Sequence, residues 1–160
     1  MQKASTSSTR KAWAYYPTPD DVTRAAALFM VRQMILWPAE WLDPAAGEGA
    51  LVRAARATHE MFGESLWHGI EIDADRAAES QGEVDTDVVV GDALELEWPV
   101  AHVFTNPPFA LLDGFMAKAL AHREQHAVYV VMLTPTCWWQ AEKRAHIEAP
   151  DHVLPLSWRP

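Results

Sequence analysis

The tetrapeptide Asn106-Pro107-Pro108-Phe109 follows the apolar run Val100-Ala101-His102-Val103-Phe104 and has the spacing richest in chemistry in this chain. Neither proline has a backbone N–H, and each pushes the residue before it out of the helical region. Asn106 and Pro107 are therefore extended, with carbonyls turned away from any local ladder. The product is a stiff edge rich in acceptors. The Asn106 side-chain oxygen and a neighbouring carbonyl can hold both hydrogens of a primary amine while the ring of Phe109 covers a flat substrate.

Three other clusters have residue types suited to a ligand. Asp43-Pro44-Ala45-Ala46-Gly47-Glu48-Gly49 puts a pair of glycines between an apolar segment and a helical one. Gly47 and Gly49 permit positive φ and a close approach to backbone, which would let a ligand lie against bare peptide N–H groups at a helix start. The stretch lacks the third glycine of the dinucleotide fingerprint and the Lys-Ser/Thr of a phosphate loop. Asp43 opens it instead, and negative charge there suits an ammonium or sulfonium better than a pyrophosphate. On its own the stretch reads equally well as a tight turn. Glu71 closes the next apolar segment, where it can accept from ribose hydroxyls. Its neighbour Asp73 could do the same, but Asp73 and Asp75 have the position of acids opening a helix. Asp92, after Gly91, can accept from an exocyclic amine. Ribose and aminopurine acceptors beside an acidic glycine loop describe a pocket for an adenosine with a cationic tail, a description S-adenosylmethionine fits.

The elements that must position these clusters follow from periodicity. Asp20 and Asp21 open a helix whose apolar residues run from Val22 through Phe29 and Met30 to Met34, with Pro38 as its stop. Trp41-Leu42 is a short strand before Asp43. Helices are predicted over 51–61, 75–81, 111–122 and 136–147, and strands over 66–72, 88–90, 100–106, 127–133 and 152–158. Strands alternating with helices mean βαβ units, so the predicted fold class is α/β with a doubly wound, mostly parallel sheet. Ligands in such sheets gather beyond the carboxyl ends of the strands. All four clusters fall there.

The chain has 160 residues, enough for one core-bearing domain. The expected division is a flexible tail over 1–14 and a single domain over 15–160. No long uncharged apolar stretch and no charged-then-apolar N-terminus is present, which argues against a membrane span or a secretory signal. Cys137 is the single cysteine, so neither an internal disulfide nor a cysteine zinc site is available, and a reducing cytoplasm is the expected location. The net charge of −9 is unusual for a nucleic-acid binder. It is regional: Glu71 to Glu97 holds ten acids and one base, Arg76, and reads as solvated surface. Lys3, Arg10 and Lys11 in the tail could touch phosphate. Of the eight tryptophans, Trp37, Trp41, Trp67, Trp98 and Trp158 read as packing. Trp138 or Trp139, just past a strand end, is a candidate for the substrate mouth. His122 and His126 have metal-pair spacing but no third ligand nearby, so no metal is expected. Cys137 lacks the Pro-Cys context of cytosine-C5 methyltransferases, which argues against a covalent base adduct.

Together, Tyr16-Pro17-Thr18-Pro19, Asp43-Pro44-Ala45-Ala46-Gly47-Glu48-Gly49, Glu71-Ile72-Asp73, Gly91-Asp92-Ala93-Leu94 and Asn106-Pro107-Pro108-Phe109 resemble the class I methyltransferases that act on exocyclic amines, in particular adenine-N6 DNA methyltransferases. The resemblance runs from about Tyr15 to the end of the chain. It implies a Rossmann-like fold, S-adenosylmethionine as cofactor, and transfer of its methyl group to adenine N6 in DNA. Thr18 and Pro19 would hold the methionine end of the cofactor, and the loop with Asp43, Pro44, Ala45, Gly47 and Gly49 would wrap its amino-acid and ribose portions. Glu71 with Ile72 would take the ribose, and Asp92 with the Ala93 backbone would read the adenine edge. Asn106, Pro107, Pro108 and Phe109 would form the catalytic lip, with Phe109 stacked on a base that is flipped out or single-stranded. The family continues past the position of Ser157-Trp158-Arg159-Pro160, so the sheet is expected to be incomplete at its C-terminal side. Either the chain is a fragment, or a partner subunit or second copy supplies the rest and the target recognition. Two other readings stay open: methylation of a protein glutamine amide or an RNA adenine, and a non-catalytic cofactor-binding subunit or truncated remnant.

Overall fold

Residues on the central strands are apolar on both sides, which commits the sheet to burial between helices. The computed structural model describes residues 17–33, 39–140, 147 and 150–156. Among them, five strands form one sheet in the order β3-β2-β1-β4-β5. They are β1 (Glu40–Asp43), β2 (Leu66–Glu71), β3 (Val89–Val90), β4 (His102–Thr105) and β5 (Val130–Met132). Every pairing is parallel, and register sets Trp41 beside Trp67 and His102, and Phe104 beside Val131. The order reverses between β1 and β4, so this is a doubly wound α/β sheet with its switch point at those strands.

Alternation along the strands divides the core. Trp41, Trp67 and Phe104 point to one side, where they meet α1 (Asp20–Arg32), α2 (Ala50–Thr58) and α3 (Glu60–Glu64) through Met30, Leu51, Val52 and Phe62. Leu42, Ile70 and Val103 point to the other, packing with Phe115 and Ala119 of α5 (Leu112–His126) and with Trp98. Burying such a side chain contributes about 1.5–3 kcal/mol. Asp73 caps α4 (Ala74–Ser80), its Oδ1 accepting from the N–H groups of Asp75 and Arg76. This is the helix-opening role its position in the sequence predicts.

Some boundaries differ from expectation. The helix predicted over 51–61 breaks at His59, which is extended (φ −155°, ψ 139°) and accepts at Nδ1 from the Met61 N–H, so α2 and α3 are separate. In contrast, α5 continues four residues beyond His122 and ends where Ala127 turns left-handed at φ 53°. Past β5, Thr136–Gln140 forms a 3-10 turn rather than an α-helix. The described part of the predicted last strand, 152–156, is not in the sheet, and His152 instead stands edge-on to Phe29 of α1. The tail with Lys3, Arg10 and Lys11, together with Trp37 and Trp158, lies outside the described residues. Trp41, Trp67 and Trp98 are buried as expected. No described helix is long and apolar enough to cross a membrane.

Candidate functional site

A cleft of about 730 Å³, counting its open mouth, lies over the carboxyl ends of the strands at the switch point. Its walls include Thr18, Asp43, Pro44, Ala45, Glu71, Ile72, Ala93, Asn106, Pro107, Pro108 and Phe109, residues distributed over nearly a hundred positions of sequence. Pro19, Gly47, Gly49 and Asp92 are not among its lining residues.

At the base of the cleft, Asp43 and Thr105 end the adjacent strands β1 and β4. The Thr105 hydroxyl donates to Asp43 Oδ1 at 2.7 Å, and the Ala45 N–H donates to the same oxygen at 3.1 Å. Asp43 is 1% exposed. Burial, joined by a smaller contribution from the nearby charge of Glu71, outweighs these two hydrogen bonds and pushes its pKa up to about 7.

Glu71 ends β2, buried, with both oxygens engaged. Oε2 accepts from the Gly47 N–H at 2.8 Å, while Oε1 accepts from the Asp73 N–H at 3.0 Å and from Arg76 Nη2 at 2.8 Å. The sequence reading missed Arg76, which lines the cleft; its one visible signal was its position as the sole base in the acidic run. That run is not simply solvated surface. Glu71 is internal, and Glu83 and Asp85 pair with Arg53 and Arg56 of α2.

The glycine loop also differs from its reading as bare N–H groups. Ala45 donates to Asp43, Ala46 to the Ile70 carbonyl at 3.0 Å, Gly47 to Glu71 and Gly49 to the Ala46 carbonyl at 2.9 Å. The loop thus spends these donors on acids and carbonyls of its own and of β2. Both glycines do have positive φ, 54° and 77°. At Gly49 the close approach is to protein: an added Cβ would lie 2.7 Å from Glu83 Cγ.

The third wall depends on the segment after β3. Asp92 Oδ1 accepts from the Leu94 N–H at 2.8 Å, making a local turn. Trp98 Nε1 donates to the Ala93 carbonyl at 2.9 Å. Lys118 of α5 donates to the carbonyls of Leu94 and Leu96 and lies over the Trp98 ring, and burial lowers its pKa. These bonds present Ala93 to the cleft while taking one Asp92 oxygen away from it.

At the lip, Pro107 is buried and Phe109 is 42% exposed. The Pro108 carbonyl accepts from the Leu111 N–H at 2.9 Å, closing the turn into α5. No described residue donates to the Pro107 carbonyl. Asn106 Nδ2 donates to the Thr18 hydroxyl at 3.1 Å, which joins the segment before α1 to the strand end of β4. Ala46 and Gly91, members of the glycine-loop and Gly91-Asp92 clusters, also line the cleft; Phe115, Ala50 and Leu51 line it too and were not foreseen, because their places follow from helix packing. Trp138 is not at the mouth: it is 6% exposed, packs with Leu112 and Met116, and donates through Nε1 to Asp113 at 2.8 Å. The side chain of Trp139 is outside the described structure. His122 is committed to the Ala101 carbonyl at 3.2 Å and packs against Trp98 and His126.

The parallel sheet, its strand order and its helical layers are those of the class I methyltransferase fold. No protein-family model and no curated protein sequence matches the chain. Among solved structures, it is similar to a provisionally assigned RNA methyltransferase from Pyrococcus horikoshii, at TM-score 0.61 and 20% identity, over 80% of this chain and 68% of that one. A provisionally assigned class I S-adenosylmethionine-dependent methyltransferase from Listeria monocytogenes gives TM-score 0.61 at 15% identity, over 80% and 49% of the two chains. The methyltransferase subunit of a type I restriction-modification system from Streptococcus thermophilus gives 0.54 at 13%, over 79% and 36%. The likeness is one of fold, and the chain spans only part of each relative's length.

Proposed function

We propose that this chain transfers a methyl group from S-adenosylmethionine to the N6 amine of adenine in DNA. The observation that carries the reading is the meeting, in one cleft, of a stiff Asn106-Pro107 acceptor edge with two buried acids, Asp43 and Glu71. The residues fit the cofactor: Asp43 offers negative charge to a cation, Ile72, Ala93 and Phe115 offer apolar contact to a purine, and Glu71 stands where a ribose would lie. The backbone of Thr18 and Pro19 takes the methionine end, the loop from Asp43 to Gly49 shapes the amino-acid side, and Asp92 with Ala93 meets the adenine edge. Glu71 holds Arg76, so its use by a ribose requires that pair to rearrange. When bound, the cofactor supplies an electrophilic methyl group.

The remaining work falls to the lip. The adenine N6 lone pair is delocalised into its ring and is a weak nucleophile. Acceptors at Asn106 Oδ1 and the Pro107 carbonyl favour a tetrahedral nitrogen and stabilise positive charge as it develops. Pro108 holds the turn, and Phe109, exposed beside it, stacks on the extruded base, offsetting part of an unstacking cost of a few kcal/mol. The domain is the segment 15–160 behind a tail of 1–14. A cytoplasmic location suits both the exposed Cys137 thiol and a DNA substrate. A partner subunit or second copy provides target recognition.

The −9 charge favours a second reading, methylation of a protein glutamine amide at the same lip, which would also accept an RNA adenine. Incubation with methyl-labelled cofactor and separate pools of DNA, RNA and protein decides between them; label confined to protein or RNA overturns the first reading. A non-catalytic cofactor-binding subunit would label none. Asn106→Ala is expected to abolish transfer with little change in cofactor affinity, and unchanged transfer in that variant would refute the mechanism.

A further inference from the structure

An asparagine carboxamide has an acceptor end and a donor end of almost equal shape, and its terminal torsion is soft and nearly two-fold. Only the acceptor end can hold an amine hydrogen. A lip built on Asn106 therefore needs something to decide which end faces the substrate. Thr18 is placed to do so: a threonine hydroxyl can accept from Nδ2 or donate to Oδ1, and here it accepts. Its hydroxyl lies 3.1 Å from Asn106 Nδ2, a contact between residues 88 positions apart, and both residues line the cleft. Thr18 is 9% exposed. Its backbone is stiffened by Pro19, which disfavours the helical region for the residue before it, and the Pro19 carbonyl is anchored by the Thr23 N–H of α1 at 3.1 Å. A β-branched side chain on such a backbone has few rotamers. With Nδ2 spent on Thr18, Oδ1 is the end left for an amine, and no described residue donates to it.

We propose that Thr18 is a positioning residue: it turns the Asn106 carboxamide so that its oxygen faces the methyl acceptor, a role distinct from holding the methionine end of the cofactor. This rests on the methyl-transfer reading. Thr18→Val removes the hydroxyl at nearly constant shape, and Thr18→Ser keeps it. The expected result is a kcat about 10- to 100-fold lower in Thr18→Val, with cofactor Kd by calorimetry within about twofold of wild type and kcat largely restored in Thr18→Ser. A wild-type kcat in Thr18→Val overturns the proposal. So does loss of cofactor affinity with kcat at saturation unchanged, which would make the Thr18 hydroxyl, and not only its backbone, a cofactor contact. Equal loss in both variants at matched Tm overturns it too, since the hydroxyl kept in Thr18→Ser would then not be what sustains transfer. A second readout needs no turnover. In the ¹⁵N-labelled protein, the Asn106 side-chain NH₂ signals, assigned by their loss in Asn106→Asp, should shift in Thr18→Val and return in Thr18→Ser; signals unmoved by Thr18→Val overturn the contact. If the wild type methylates no pool, the functional reading fails, while the resonance test still reports on the contact.

Discussion

Asp43 is an acid that the fold removes from water at the point where two strands part. Its raised pKa, about 7 against an ordinary 3.8, means that the folded chain binds this proton more tightly than the unfolded chain does. The sign follows from linkage: between these values the native state carries more protons, so stability falls as pH rises. The destabilisation is absent below about pH 4, grows toward pH 7 and is complete above it. Asparagine at this position keeps an oxygen for Thr105 and Ala45 but cannot ionise. We therefore expect the urea midpoint of Asp43→Asn, relative to wild type, to rise from pH 5 to pH 8. A constant difference over that range would contradict the raised pKa. A cationic ligand favours the ionised acid, so its affinity should increase with pH in the wild type and stay flat in the variant. The aspartate was legible in the sequence as an acid at a strand end. Its protonation was not, because desolvation depends on what closes over it, including Thr105, contributed by another strand.

At the scale of elements, the glycine loop illustrates how one residue choice can have two explanations. Sequence reasoning identified the need for positive φ at Gly47 and Gly49 and attributed the bare backbone to a ligand. In the folded chain, Gly49 begins α2 at φ 77°, and the place of a side chain is taken by Glu83 and by the backbone of Ser80 at the end of α4. Gly49→Ala would combine left-handed strain with a Cβ 2.7 Å from Glu83 Cγ and 2.8 Å from Glu83 Cβ. The expected loss is about 2 kcal/mol, seen as a lower urea midpoint at unchanged m-value. A loss of cofactor affinity without a stability change would return the glycine to a ligand role. Helix ends were legible where the signal is local, as with Asp73 capping α4. The break at His59 was not, since helical spacing continues through it, while Phe62 beyond the break is buried against Trp41 and Trp67.

For the molecule as a whole, the stabilising mass is the aromatic layer on one face of the sheet. Trp41 stacks on Trp67 with centroids 5.9 Å apart, and Phe62 packs at 5.8 Å from Trp41 and 6.3 Å from Trp67. Trp67 Nε1 donates to the Phe62 carbonyl at 3.0 Å, fixing α3 to β2. Phe62 is fully buried, so Phe62→Ala should cost about 3–5 kcal/mol. For a chain of this size that is a fall in Tm on the order of 10 °C. A shift within about 2 °C would mean the layer collapses around the missing ring. The cleft lies at the edge of this rigid layer, on the side where β1 and β4 diverge. Strand ends supported by such packing can keep an unfavourable buried acid in place.

By itself, the sequence determined the features encoded within a few residues: period-two apolar strands, the breaks between them, the proline-stiffened lip, the positive-φ glycines and the order of the α/β units. These depend on backbone sterics and local hydrogen bonding, which act over one turn or one strand. The tertiary structure decided which side chains meet. It set Thr18 on Asn106, Thr105 on Asp43 and Arg76 on Glu71, moved Trp138 into the core, and directed the loop N–H groups to internal acceptors. The physical reason is strand order. The reversal between β1 and β4 brings distant segments to one cleft, and that reversal results from burying two apolar faces at once rather than from any single stretch of residues.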